Sequence, residues 1–103
     1  MKAYISGKIT GDPNYREKFQ AMKESMEREG HIVLNPAQLP EGMTAADYMR
    51  VNFAMIDVAD VVLLLPDWSN SKGAQLEKAY CEYIGKKVVL PDESYWEVPC
   101  SRR

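Results

Sequence analysis

An unbroken apolar run, Val61-Val62-Leu63-Leu64-Leu65, set between Asp60 and the turn pair Pro66-Asp67, constrains the fold more than any other segment. Alternating polarity would mark a strand with one wet face. A continuous Val/Leu run instead needs cover on both faces, the condition of a strand inside a parallel sheet. Three other short segments fit the same role: residues 2–6 stop at Gly7, His31-Ile32-Val33-Leu34 stops at Asn35-Pro36, and residues 86–90 stop at Pro91.

Helical periodicity fills the intervals between these strands. Tyr15, Phe19, Met22 and Met26 recur at helical spacing; Asp12 predicts the cap, Pro13 the first helical position and Gly30 the stop. After a loop carrying Pro40 and Gly42, Thr44-x-x-Asp47 predicts a capping box for a helix whose apolar face is Tyr48, Val51, Met55 and Ala59. Ser71 predicts the cap of a third helix, with a core stripe of Leu76, Ala79, Tyr80 and Tyr83 and a stop at Gly85. The order β-α-β-α-β-α-β, with right-handed crossovers, predicts an α/β fold. Its architecture is a single doubly wound, flavodoxin-like, four-stranded parallel sheet of order 2-1-3-4 with helices on both faces. Residues 1–90 are expected to form this domain. Residues 91–103, with Tyr95, Trp96 and Ser101-Arg102-Arg103, are expected as a tail that packs an edge or meets another subunit.

Charge and composition narrow the partners. The chain has 103 residues and a net charge of −2, which gives no long-range attraction for a nucleic-acid polymer or an anionic membrane. No apolar run approaches the roughly 20 residues needed to span a bilayer, and the start of the sequence lacks a signal-type apolar region, so a cytoplasmic protein is expected. Cys81 and Cys100 belong to no CxxC or Cys/His pattern, and His31 opens a strand far from the other polar candidates. Neither a metal, nor a redox cofactor, nor a Ser/His or Cys/His catalytic set is therefore expected.

In open α/β sheets, ligands bind outside the carboxyl ends of strands where successive connections leave for opposite faces. Two loops meet that description. Gly7-Lys8-Ile9-Thr10-Gly11 follows the first strand and can hold an anion with its backbone N–H groups or serve as a tight turn; Ser71-Lys72-Gly73 offers an anion site or a plain helix cap. Glu77 lies beside the third helix's core stripe, in line with Gly73 and Cys81. A half-desolvated carboxylate there suits a nucleophile toward a sugar anomeric carbon or a general base, and a solvated Glu paired with Lys72 or Lys78 is the plain alternative. Asp67 and Trp68 follow the third strand as a ligand-facing acid and a base-stacking ring, or as ordinary turn residues, and Tyr4 is either a core tyrosine or an orienting hydroxyl.

Taken together, these strings resemble the nucleoside 2-deoxyribosyltransferase superfamily, including its nucleotide-hydrolysing branch. The resemblance runs over residues 2–90. It rests on Tyr4-x-Ser6-Gly7-x-Ile9-x-Gly11, on Asp60-Val-Val, on Ser71-x-Gly73-x-x-x-Glu77-x-Ala79 and on Gly85-Lys86-Lys87-Val88. Short bacterial and phage members share strings like Gly30-His31-x-Val33-Leu34-Asn35-Pro36, Asp47-Tyr48-Met49-Arg50 and Leu65-Pro66-x-Trp68. The resemblance implies cleavage or transfer at the N-glycosidic bond of a nucleoside or its 5′-monophosphate, with Glu77 as nucleophile and Tyr4 orienting it. It also implies a sugar-side loop of Gly7, Lys8, Ile9 and Gly11, phosphate contacts from Ser71 and Gly73, and a homo-oligomer. Two positions depart from the family pattern. Asn52 stands where the superfamily carries the acid that handles the leaving base, with Asp57 or Asp67 as substitutes, and Thr10 stands where the hydrolases favour Arg. The competing expectations are a non-catalytic binder of nucleotides or ADP-ribose-like molecules and a structural assembly module.

Overall fold

Four strands, β1 (Lys2–Ser6), β2 (Ile32–Leu34), β3 (Val61–Leu64) and β4 (Lys87–Val89), pair in parallel in the order β2-β1-β3-β4 in a computed structural model that describes residues 1–91. Helix α1 (Tyr15–Arg28) joins β1 to β2, α2 (Ala45–Val58) joins β2 to β3, and α3 (Lys72–Ile84) joins β3 to β4. Register matches Tyr4 with Leu34 on one side and Val62 on the other, and Val62 with Val88.

Period-two alternation along the central strands builds two cores. Ala3, Ile5, Val61, Leu63 and Leu65 pack with Phe19 and Met26 of α1. Tyr4, Val62 and Leu64 pack on the opposite face with Ile56 and Ala59 from the α2 connection and Cys81 of α3. The run 61–65 is buried throughout, as cover on both faces requires. The doubly wound sheet thus has α1 on one face and α2 and α3 on the other. Tyr4 and Ser6, two apart on β1, point toward the α2 and α3 side.

Local chemistry sets the helix ends, with one departure from the sequence reading. The capping box of α2 is formed, Ser71 accepts from Ala74 N–H at 3.1 Å, and Gly85 ends α3 in the left-handed region at φ 78°. In α1, however, Asn14 is the cap residue and provides no side-chain bond. Asp12 accepts from Asn14 N–H at 2.9 Å and pairs with Lys18, so its carboxylate is already committed. Burying Phe19 and Met26 contributes about 2 kcal/mol each, which outweighs the roughly 1 kcal/mol of a missing cap.

The inward faces of α2 and α3 also differ from expectation. On α2, Asn52 and Ile56 face the sheet and Val51 is 37% exposed. On α3, Ala74, Glu77 and Cys81 face inward, while Leu76 and Tyr83, expected in the core, are 56% and 91% exposed. Ala79 is exposed as well, and Tyr80 is half-buried, stacked on Phe53 with ring centroids 4.3 Å apart. Small residues at 74 and 81 let α3 lie close to the sheet, and the two inward polar groups share a hydrogen bond. Cys100, Tyr95, Trp96 and the rest of the expected tail beyond Pro91 lie outside the described residues.

Candidate functional site

All three helices begin at the carboxyl edge of the sheet, and between them lies a cleft of about 500 Å³. One wall is the β1–α1 loop, Gly7 to Thr10. Another is the segment after β2 with Pro36, Ala37 and Leu39, and the rest comes from the first turns of α2 and α3. That volume is in the range of small-molecule sites. Gly7 is required by packing: a Cβ there would meet Leu65 Cδ1 at 2.8 Å and Leu65 Cβ at 2.9 Å. Gly11 adopts φ 84° just beyond the wall and turns the chain toward α1.

Glu77 lines the cleft and is only 4% exposed. The Ser6 hydroxyl donates to its Oε1 at 2.7 Å, and the Asn52 side-chain amide donates to its Oε2 at 3.1 Å. Burial raises the Glu77 pKa, and the donated hydrogen bonds oppose that rise without cancelling it. The carboxylate makes no pair with Lys72 or Lys78; Lys78 pairs with Glu82 instead. Tyr4 lies beside this group. Burial first, then the Glu77 charge and side-chain hydrogen bonding with Glu77, raises its pKa well above the ordinary value. Ser6 adds an orienting contact that the sequence reading did not assign, and its signal in the sequence was its place two residues along the same strand face as Tyr4. Cys81, one turn beyond Glu77, has its thiol pushed up to about 11 by burial and by that carboxylate.

Of the other sequence candidates, Gly7, Lys8, Ile9, Asn52, Ser71 and Gly73 line the cleft. Two do not. Asp67 accepts from Lys8 N–H at 3.1 Å through one oxygen and pairs with Lys18 through the other, so it braces the β1–α1 loop from behind. Trp68 packs with the core on the α2 and α3 face, with the Lys78 ammonium 5.4 Å from its ring centre. The sequence reading did not assign Tyr15, Leu39, Tyr48, Met49 and Asn70, which complete the wall. Lys8 and Lys72 form no ion pair among the described residues, and with Glu77 they are the charged residues of the wall. Among the described residues no group of three His, Cys, Asp or Glu side chains could hold a metal ion. His31 sits at the far edge of the sheet, 3.4 Å from the N-terminal amine. No helix among the described residues is long and apolar enough to cross a membrane.

The model of a family described as a domain of unknown function, DUF4406, matches residues 1–90. The chain belongs to the DUF4406 family. No curated protein matches its sequence. Among solved structures, this DUF4406 chain is similar to a 2-desoxiribosyltransferase from Leishmania mexicana, with a TM-score of 0.69 at 19% identity. The match covers 86% of this chain and 62% of the other. The fold that the sequence resemblance implied is therefore shared: an all-parallel sheet of order 2-1-3-4 with three helices.

Proposed function

We propose that this protein cleaves or transfers the N-glycosidic bond of a nucleoside or nucleoside 5′-monophosphate, with Glu77 as the nucleophile. The observation that carries the reading is the position of that carboxylate: at the end of a small-molecule cleft, 4% exposed, and held by one donor on each oxygen. A carboxylate fixed in this way reacts without first reorganising its solvent. An oxygen of Glu77 attacks the anomeric carbon, the carbon–nitrogen bond breaks, and its electron pair leaves with the base. Water or a second base then displaces Glu77 from the glycosyl ester, restoring the carboxylate. Gly7, Lys8 and Ile9 face the sugar and its 5′ substituent, and Ser71, Lys72 and Gly73 favour an anion there. The same reading takes residues 1–90 as the catalytic domain of a cytoplasmic homo-oligomer, with residues 91–103 as an appended tail.

A second reading, a non-catalytic nucleotide binder, is favoured by one observation. Asn52 presents an amide to Glu77, and Glu77 is the single carboxylate on the wall among the described residues, so no carboxylic acid there protonates a departing base. Chromatography of nucleosides and 5′-monophosphates after long incubation decides between them. Base release by the wild type, lost in Glu77→Ala, is expected. Calorimetric binding with no release supports the binder, and release that survives Glu77→Ala removes the nucleophile assignment.

A further inference from the structure

We infer that the inner end of the cleft holds a subsite for the 2′-hydroxyl of a ribosyl group, so that ribosyl ligands bind in preference to 2′-deoxyribosyl ones. The inference rests on the N-glycosidic reading above, which sets the anomeric carbon against Glu77.

The orientation of the Asn52 amide is fixed by chemistry. Only its nitrogen can donate to the carboxylate oxygen 3.1 Å away, so its own oxygen is turned elsewhere. That Oδ1 atom is buried and has no hydrogen-bond partner, in a side chain 6% exposed on the cleft wall. Buried polar atoms in folded proteins are nearly always paired, and one left over beside a cleft marks a missing donor. The Tyr4 hydroxyl is buried beside Glu77, whose charge and side-chain hydrogen bonding raise its pKa, so it does not compete for the Asn52 acceptor. A ligand hydroxyl can donate to Asn52 Oδ1.

Stereochemistry says which hydroxyl arrives there. A nucleophile that displaces the base of a β-nucleoside approaches the opposite face of the sugar, and on that face the adjacent carbon carries the 2′-hydroxyl of ribose. Both oxygens of Glu77 already hold a donor, from Ser6 and from Asn52. Asn52 Oδ1 is the uncommitted acceptor next to them. A 2′-deoxy sugar brings only C–H to this place and leaves the acceptor unpaired. The oxygen is buried, and Met49, one turn earlier on α2, lines the same cleft with its methyl reaching across to α3: a Cβ on Gly73 would lie 3.5 Å from Met49 Cε. A thioether side chain adapts at little cost, so it can yield to an arriving hydroxyl.

The test uses two inert sugars without a base, 1,4-anhydroribitol 5-phosphate and its 2-deoxy counterpart, titrated into the full chain and followed by NMR chemical shifts. Binding of the hydroxylated sugar should be roughly 10- to 100-fold tighter, the range expected when a buried acceptor is paired in one complex and orphaned in the other. In Asn52→Leu the ratio should fall to about one. Should that variant fail to fold, the wild-type ratio decides alone. Equal affinities, tighter binding of the deoxy sugar, or binding of neither overturns the subsite. Because neither probe can be cleaved, this result is separate from base release: Glu77-dependent release with equal sugar affinities ends the subsite and keeps the enzyme, and ribosyl preference without release does the reverse.

Discussion

Replacing Glu77 with Gln should stabilise the fold at neutral pH while removing the nucleophile. Ionising Glu77 in the folded chain creates a charge that burial has stripped of most of its hydration, which costs several kcal/mol. Hydrogen bonds from Ser6 and Asn52 return roughly 1.5–3 kcal/mol each, and the pKa is nonetheless raised, so the balance favours the neutral form. Gln fills nearly the same volume and still accepts from Ser6. Its amide can donate to Asn52 once that side chain turns over, which uses the acceptor Glu77 leaves unpaired. We expect a gain of about 1–2 kcal/mol at pH 7, and each kcal/mol corresponds to roughly 4–8 °C in Tm for a domain of this size. The pH dependence follows from the raised folded-state pKa. Wild type has its full stability below the unfolded-state value and loses part of it as pH rises through the folded-state value, whereas Gln does not titrate. The gap between the two proteins should therefore be small near pH 4 and widen toward pH 7 in thermal melts followed by circular dichroism. A variant less stable than wild type at pH 7, or a gap of constant size, would refute the idea that the buried charge is a net burden.

Two further outcomes test the walls of the cleft. Gly7→Ala forces a Cβ to within 2.8 Å of the buried Leu65 side chain and should cost about 1–3 kcal/mol in denaturant unfolding; a neutral substitution would mean that β1 and Leu65 separate freely. Lys18→Met removes the ammonium that joins Asp12, Asp67 and the Lys8 carbonyl, and should cost about 1–3 kcal/mol. It should also speed hydrogen exchange at the Lys8 amide, and unchanged protection there would show that the loop holds itself.

Which parts of this molecule could be read from its sequence follows from where polar residues are allowed to point. The run 61–65 and the alternation of strands with helices were enough for the sheet order, since cover on both faces and right-handed crossovers leave few topologies. The same topology located the cleft. The inward faces of α2 and α3 were misread because Asn52 and Glu77 occupy core positions, and a hydrophobic pattern assigns such residues to solvent. They are tolerated inside because each is a partner for the other, a relation between residues 25 apart in the chain. The role of Asp67 was left open for a related reason. Its neighbours in sequence are turn residues, but its role is set by Lys18, 49 positions away, and by the Lys8 N–H.

Ser6 and Glu77, in hydrogen-bond contact at 2.7 Å, are separated by 71 positions, so the first strand and the last helix must both have docked before the acid finds its seat. Closing a chain segment of that length is entropically slow to reward, and no fragment ending before α3 contains the carboxylate at all. Recognition of a ligand at this place is therefore a property of the finished sheet alone, and it should vanish at the same denaturant concentration as the cooperative loss of secondary structure.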